Sequence, residues 1–403
     1  MNSTPPDPRP DGAPAVGGRS EVASVSSADG PAQHLAGVLQ QRIAAAIEAS
    51  AGWISFERFM TMALVEPGLG YYARGAPTFG QDPRDGSDFV TAPEMSPFFG
   101  RALARQAAEA FARGAPPVVT EFGAGSGALA ESVIEALLEA GHADLRYCIV
   151  EVSSALQTRQ QERLHRFGAR VRWLERLPEW LDGVVLANEV LDALPVTLLH
   201  WDGTHWLERG VARDPAAPDA PPRFAFADRP TALRPPREGP YLPGTTVELQ
   251  PQGRAFTATV AERLQRGLAL FIDYGFPESE YYHPQRTGGT LMCHRAHRAD
   301  ADPLSDAGCK DITAHVDFTG IALAAEEAGC AVLGYTSQGR FLLNAGLLDD
   351  LASADVRARV AAHRLVAEHE MGELFKVIAF GRGLDFGPRG PMGFVEGDRC
   401  HRL

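Results

Sequence analysis

Up to about Gln33 the chain is dominated by Pro, Gly, Ser, Ala and Asp, with too little apolar surface to offset the entropy of ordering, and this predicts a disordered tail over 1–33. From His34 a helical rhythm begins. Leu35, Val38, Leu39, Ile43 and Ile47 make one apolar stripe that ends before Gly52, and a second helix is expected over Ser55–Val65. The following stretch turns repeatedly, first in Glu66-Pro-Gly-Leu-Gly-Tyr-Tyr72 and again from Gly75 to Ser87. A long ordered loop carrying Tyr71, Tyr72, Asp88, Phe89, Thr91 and Glu94 is unusual unless it covers something, the plain alternative being a packed surface loop. Ser96 then suits the cap of a helix to Arg113, with Pro97 in its first position. Residues 34–116 therefore read as an N-terminal helical cap or lid.

Beyond Pro117 short apolar runs alternate with helical periods. Strands are expected at Val118–Phe122, Tyr147–Val152, Val171–Leu174, Gly183–Ala187 and Gly267–Tyr274, with helices at Ala128–Ala140 and Ala155–Phe167. A helix at Phe318–Ala328, a strand at Ala331–Ser337, helices from about Gly339 to His369 and a strand at Leu374–Phe380 complete the pattern. That rhythm predicts the α/β class: a doubly wound, mostly parallel, Rossmann-like sheet over 117–385. At about 196–265 it is interrupted by alternating positions around Leu198–Leu207, a Pro-rich stretch over 214–243 and a following helix, read as an inserted β-hairpin and loop outside the main sheet. Residues after Gly381, and 386–403 in particular, read as a second loose end.

Composition narrows this picture. With 45% hydrophobic, 22% charged and 8% aromatic residues the chain is globular, and its net charge of −13 repels phosphate backbones, which argues against a nucleic-acid partner. Five scattered cysteines make no disulfide framework and point to a reducing compartment. No apolar run approaches the ~18 residues of a membrane span and no signal core or presequence is evident, so a cytoplasmic location is expected.

The chemistry concentrates at strand ends. In Val118-Val-Thr-Glu121-Phe-Gly123-Ala-Gly125-Ser-Gly127-Ala128 a strand gives way to glycines and then to a helix whose free amides face the carboxyl edge of the sheet, which is a nucleotide site. The glycines alone do not separate dinucleotides from other nucleoside cofactors, because Gly123, Gly125 and Ala128 also satisfy the dinucleotide spacing. Glu151, closing the next strand, can accept both ribose hydroxyls in either class. Glu121 discriminates better. A carboxylate inside the strand end is costly unless a cation or donor meets it, and a positively charged sulfonium cofactor supplies one where a pyrophosphate would be repelled; a capped or partly solvated Glu is the plain alternative. The fourth strand leads into Asn188-Glu189-Val-Leu-Asp192-Ala-Leu-Pro195, an Asn and two acids able to bind a cationic acceptor, or simply a helix cap with surface acids. His294, His297, Cys293 and Cys309 match no familiar zinc spacing, so no metal is expected. His315 and Asp317 are expected mainly to seat the helix that follows them, the lesser alternative being that they line the acceptor channel.

These motifs together resemble the class I S-adenosylmethionine-dependent methyltransferases related to the mitochondrial complex I assembly protein arginine methyltransferase, a family with many bacterial members. The resemblance runs from about Ile43 to Phe380. It rests on Gly70-Tyr-Tyr72, on Ser87-Asp-Phe-Val-Thr-Ala-Pro-Glu94 followed by Phe98-Phe-Gly100, on the segments around Gly123 and Asn188, on Asp273-Tyr-Gly275, on Gly289-Thr-Leu291 and on Asp311-Ile-Thr-Ala-His-Val-Asp-Phe318. It implies a seven-stranded methyltransferase sheet, S-adenosyl-L-methionine as cofactor, and a protein arginine as acceptor, in the mitochondrial members an arginine of a respiratory complex I subunit. Arg295 and Asp300 depart from the pattern of bacterial relatives, where Tyr and His are usual. The cofactor is expected on Glu121, Gly123, Gly125, Gly127, Glu151 and Asn188. Glu189 and Asp192 are expected to pair with the acceptor guanidinium, with Asp273 in reserve as a third catalytic carboxylate. Tyr71, Tyr72, Thr91, Glu94 and Tyr274 are expected on the substrate side. Two rivals stand beside this reading: a dinucleotide-dependent oxidoreductase, and a catalytically silent cofactor-binding assembly factor.

Overall fold

A computed structural model of the chain describes residues 29–74, 91–216, 221–295 and 298–403. The expected tail up to residue 28, the loop positions Asp88 and Phe89, and His297 lie outside the described residues. Helix α1 (Asp29–Ala49) begins five positions before the predicted start, and its stripe buries Leu39, Ile43 and Ile47. Strand β1 (Ile54–Ser55) leads into α2 (Phe56–Val65), where the Ser55 hydroxyl accepts the Arg58 amide at 3.2 Å and so satisfies one of the free donors of the first turn. After α3 (Ala92–Met95), Ser96 caps α4 (Pro97–Ala112) in the same way, accepting the Phe98 amide at 3.3 Å.

The core alternates as predicted through β2 (Val118–Phe122), α5 (Ala128–Glu139), β3 (Arg146–Val150), α6 (Ser154–Leu164), β4 (Val171–Leu174) and β5 (Leu181–Asn188). The insert then supplies β6 (Thr197–Trp201), β7 (Trp206–Arg213), β8 (Phe224–Pro230), β9 (Thr246–Leu249) and α7 (Pro251–Arg263). The chain returns to the core in β10 (Leu264–Phe276), and after α8 (Glu278–Tyr281) it forms β11 (Met292–Arg295), β12 (Arg298–Asp300), β13 (Asp311–Thr313) and β14 (Val316–Asp317). It ends through α9 (Phe318–Glu327), β15 (Ala331–Ser337), α10 (Gln338–Asn344), α11 (Leu347–Ser353), α12 (Val356–Val366), α13 (Met371–Leu374) and β16 (Phe375–Arg382).

The main sheet has the order β15-β16-β10-β5-β2-β3-β4, with β14 pairing to the end of β10. Strands β4, β3, β2, β5 and β10 are parallel, and β16 is antiparallel to both its neighbours. This is an α/β Rossmann-like fold whose parallel strands are covered on both faces, which is why they read as continuous apolar runs. The order reverses between β2 and β5. Their carboxyl ends therefore splay the following loops apart, leaving the crevice in which such sheets bind ligands.

Two expectations need correction. The insert is more than a hairpin: β6, β7, β8 and β9 join β1 in a five-stranded sheet, and β8 lies in the Pro-rich stretch read as loop. Among the described residues it pairs only with β7, so it is an edge strand, where a proline such as Pro230 at the end is tolerated. The C-terminal segment is also no loose end. Phe394 is buried against Phe341 at 5.4 Å between ring centroids, and the Asn344 amide donates to the carbonyls of Gly393 and Glu396 at 3.0 and 2.9 Å. Its glycines serve two ends: Gly387, Gly390 and Gly397 take positive φ, and a Cβ on Gly393 would lie 2.2 Å from the Phe341 ring.

Candidate active site

At the end of β2 the chain turns through Gly123, Gly125 and Gly127 with φ of 63°, 53° and 83°, a left-handed path that costs glycine nothing and lets α5 start at once. Glu121, two residues earlier, is 2% exposed and accepts the Tyr147 hydroxyl at 2.7 Å. Burial pushes its carboxyl up to about 8; the Tyr147 hydrogen bond opposes this and the charge of Glu151 adds to it. With no cation beside it, Glu121 is protonated at neutral pH. Glu151, beyond β3, accepts the Ser153 amide at 2.9 Å and the Gln160 amide at 3.0 Å, while Gln160 also donates to the Gly125 carbonyl at 2.9 Å. One side chain on α6 thus holds both the glycine turn and the Glu151 carboxyl. Glu94, from the short α3, reaches the same turn, accepting the Ser126 hydroxyl and lying 3.4 Å from Arg163.

Beyond β5 the loop carries its acids into the crevice. Glu189 has φ 53°, unusual for a residue with a side chain, and its amide donates to the Ile272 carbonyl at 2.9 Å. Desolvation, with the charges of Asp192 and Asp311, pushes its carboxyl up to about 8, although the Asn188 amide donates to it at 3.1 Å. Asp192 is raised by burial, opposed by the Tyr274 hydroxyl, which donates to it at 2.5 Å. Asp273 takes a different part. Its carboxylate accepts the amides of Leu191, Asp192 and Tyr274 at 3.0, 3.2 and 2.9 Å, so it fixes the shape of the acidic loop.

Between the glycine turn and this loop lies a cavity of about 540 Å³. Glu121, Gly123, Gly125, Glu151, Asn188, Glu189 and Asp192 line it, as do Tyr72, Thr91, Glu94 and Tyr274. Gly127, Tyr71 and Asp273 do not. Gly127 starts α5 behind the turn, Tyr71 is buried among the N-terminal helices, and Asp273 lies beneath the loop it shapes, 1% exposed, which corrects its expected place among the reacting groups. The cavity also takes in Asp311 and Thr313 from the segments around β13 and Leu374 and Phe375 from the far wall, none of which was expected there, and His315, for which a place along the acceptor channel was the lesser alternative. The polar members of that set sit inside a motif already visible in the sequence, Asp311 to Phe318. His315 is held neutral, lowered to about 4 by burial and by the charge of Arg286, whereas Asp317 does seat the next helix, accepting the Gly320 amide at 3.2 Å.

Among the described residues six carboxyl groups line the cavity, from Glu94, Glu121, Glu151, Glu189, Asp192 and Asp311, against the single guanidinium of Arg364. Among the described residues the buried oxygens Asn188 Oδ1 and Asp192 Oδ1 have no hydrogen-bond partner. Such a set fits a cation-bearing nucleoside and repels a diphosphate. Among the described residues no group of three or more His, Cys, Asp or Glu is placed to hold a metal ion.

Comparison with known proteins agrees with this geometry. Residues 102–336, more than half of the chain, match the family described as putative S-adenosyl-L-methionine-dependent methyltransferase. A Drosophila melanogaster protein named protein arginine methyltransferase NDUFAF7 homolog, mitochondrial, is 30% identical over 327 residues, spanning 73% of this chain and 71% of its own. The Homo sapiens protein arginine methyltransferase NDUFAF7, mitochondrial, is 27% identical over 373 residues, 82% of this chain and 80% of its own. A crystal structure of a "likely methyl transferase" from Burkholderia thailandensis, bound to S-adenosyl-homocysteine, is 47% identical and superposes with a TM-score of 0.87, covering 93% of this chain and 98% of that one. Its ligand is what remains of S-adenosylmethionine once the methyl has left. The carboxylate-lined crevice, the glycine turn and these likenesses lead to one conclusion: the chain belongs to the S-adenosyl-L-methionine-dependent methyltransferase family and uses that compound as its cofactor.

Proposed function

We propose that the chain methylates an arginine side chain of a protein substrate, with a respiratory-complex subunit as the first partner to try, and that it does so in the cytoplasm. The observation that carries this reading is that Glu189 and Asp192 line the cavity beside the carboxyl groups our reading gives to the cofactor. The relatives named as arginine methyltransferases support it.

Bound S-adenosylmethionine supplies an electrophilic methyl group on a positively charged sulfur. In our reading Glu121 and the amides of the glycine turn hold its amino-acid end, and Glu151, oriented by Gln160, takes the ribose hydroxyls. Asn188 offers its unpartnered oxygen on the same side. Glu189 and Asp192 receive the acceptor guanidinium, whose charge they draw to the nitrogens that do not react, leaving electron density on the one that does. That nitrogen must lose a proton as it gains the methyl. Glu189, made a carboxylate by the guanidinium beside it, is the group that takes it in our reading. Much of the acceleration would come from alignment, since holding nucleophile and methyl ~3 Å apart is worth ~7–11 kcal/mol.

Transfer of labelled methyl to arginine-containing peptides and subunit fragments tests the proposal. Glu189→Gln should lose about 10²–10³-fold in kcat while keeping its affinity for S-adenosylhomocysteine, an effect of the size seen when one positioned polar group is removed. Unchanged turnover would remove Glu189 from the reaction. Cofactor binding by the wild type, with no transfer to any arginine acceptor, would favour the silent assembly factor instead.

A further inference from the structure

The cofactor side of the cavity is held from behind by α6 and β4. Gln160, on α6, is fully buried. Its Nε2 donates to the Gly125 carbonyl at 2.9 Å and to Glu151 Oε2 at 3.0 Å, and its Oε1 accepts the Trp173 indole N–H from β4 at 3.0 Å. An indole nitrogen only donates, so Trp173 fixes which end of the amide is oxygen. Turned over, the amide would set its oxygen against a carbonyl and a carboxylate, and its NH₂ against the indole, losing all three bonds. One turn along α6, Arg163 grips the next residue of the glycine turn, donating to the Ser126 carbonyl at 3.2 Å and to its hydroxyl at 2.6 Å. On the Glu151 carboxylate each oxygen has a donor, Oε1 from the Ser153 amide at 2.9 Å and Oε2 from Gln160. Burial raises this carboxyl, and these two bonds together with the Val152 amide oppose it.

We propose that Gln160, locked in one orientation by Trp173, is a positioning residue that makes the cofactor site select a ribose carrying both hydroxyls. The inference rests on the reading of Glu151 as the ribose acceptor given above, and not on the identity of the methyl acceptor. A ribose presents two O–H donors side by side, and one carboxylate accepts both only when both of its oxygens turn toward the ligand. Held by a single oxygen, the carboxylate swings about that bond and meets one hydroxyl at a time. Held on both, it keeps its plane. Gln160 supplies the second hold, and Trp173 acts through Gln160 by forbidding the flipped amide. The same amide ties Glu151 to the Gly125 carbonyl, so the ribose side of the cavity keeps a fixed spacing from the glycine turn.

Calorimetric titration of the full-length protein with S-adenosylhomocysteine and with its 2′-deoxyribose twin gives the test. The wild type should favour the ribose form roughly 10- to 100-fold, the range for a hydrogen bond to a charged group. Gln160→Leu keeps the bulk of the side chain and removes its polar atoms. It should weaken the ribose form roughly 10-fold more than the twin, so that the preference narrows. Trp173→Phe removes only the indole N–H among the polar contacts and should narrow the preference to a smaller degree. It decides the matter should Gln160→Leu fail to fold. An equal loss for both ligands in the folded variants would mean that Gln160 supports the glycine turn alone, and overturns the assignment. So does a preference as wide as that of the wild type. If the wild-type protein itself binds the two ligands equally, the reading of Glu151 falls first and the role of Gln160 with it.

Discussion

Burial lets Glu121 and Glu189 keep their protons well above the pH at which they would lose them in the unfolded chain, ~4.3. Between about pH 4.5 and the folded value of about 8 the native state binds more protons than the unfolded state, so stability falls as pH rises through that window. Cation binding reverses the preference, because a positive ligand favours the carboxylate. Melting curves of the ligand-free protein should therefore drop from pH 5 to pH 8, and Glu121→Gln should flatten the slope. S-adenosylmethionine should bind the wild type more tightly toward pH 8, and a flat wild-type profile would contradict these protonation states. Asp273 teaches the complementary lesson: a carboxylate beside the acidic loop holds that loop by three amides and does not line the cavity.

Strands β5 and β10 lie close at their start. Gly183 has φ 87°, and a Cβ there would sit 2.1 Å from the Val118 carbonyl oxygen, while one on Gly267 would sit 2.0 Å from the Gly183 carbonyl oxygen. Gly183→Ala should cost at least the ~1–3 kcal/mol of a strained backbone, read as a lower denaturant midpoint; an unchanged midpoint would mean the strands shift apart freely. The parallel core was legible in the sequence because strands buried on both faces announce themselves as apolar runs between helical periods. The glycine turn and the acids after β5 were legible for a related reason, since their chemistry is set by neighbours in the chain. Of the small sheets only the β6–β7 hairpin was. Strand β8 hides in a Pro-rich stretch, and the Tyr72–Asp311 contact joins residues 239 positions apart, so no local pattern encodes it. Tyr71 and Tyr72 look alike in sequence, but the turn after α2 sends one into the N-terminal core and the other to the cavity.

At the scale of the molecule, the site is closed by parts distant in sequence: an N-terminal turn, the core strands, the segment around β13 and the helices before β16. The C-terminal segment braces α4, with Gln106 and Glu109 accepting the Gly393 and Met392 amides at 2.8 Å each. Phe394→Ala should cost about 3–5 kcal/mol by chemical denaturation, the usual toll of emptying an aromatic site, with cofactor affinity kept once the protein is folded. A loss under 1 kcal/mol would return that segment to the status of a loose end.

The left-handed backbone at Glu189 reaches furthest. Glycine would sit there at ease, and a redesign scored on robustness alone would choose it, gaining on the order of 1 kcal/mol while deleting an acid from the heart of the crevice. On the function proposed above, this position gives up backbone ease to hold an acid in the crevice.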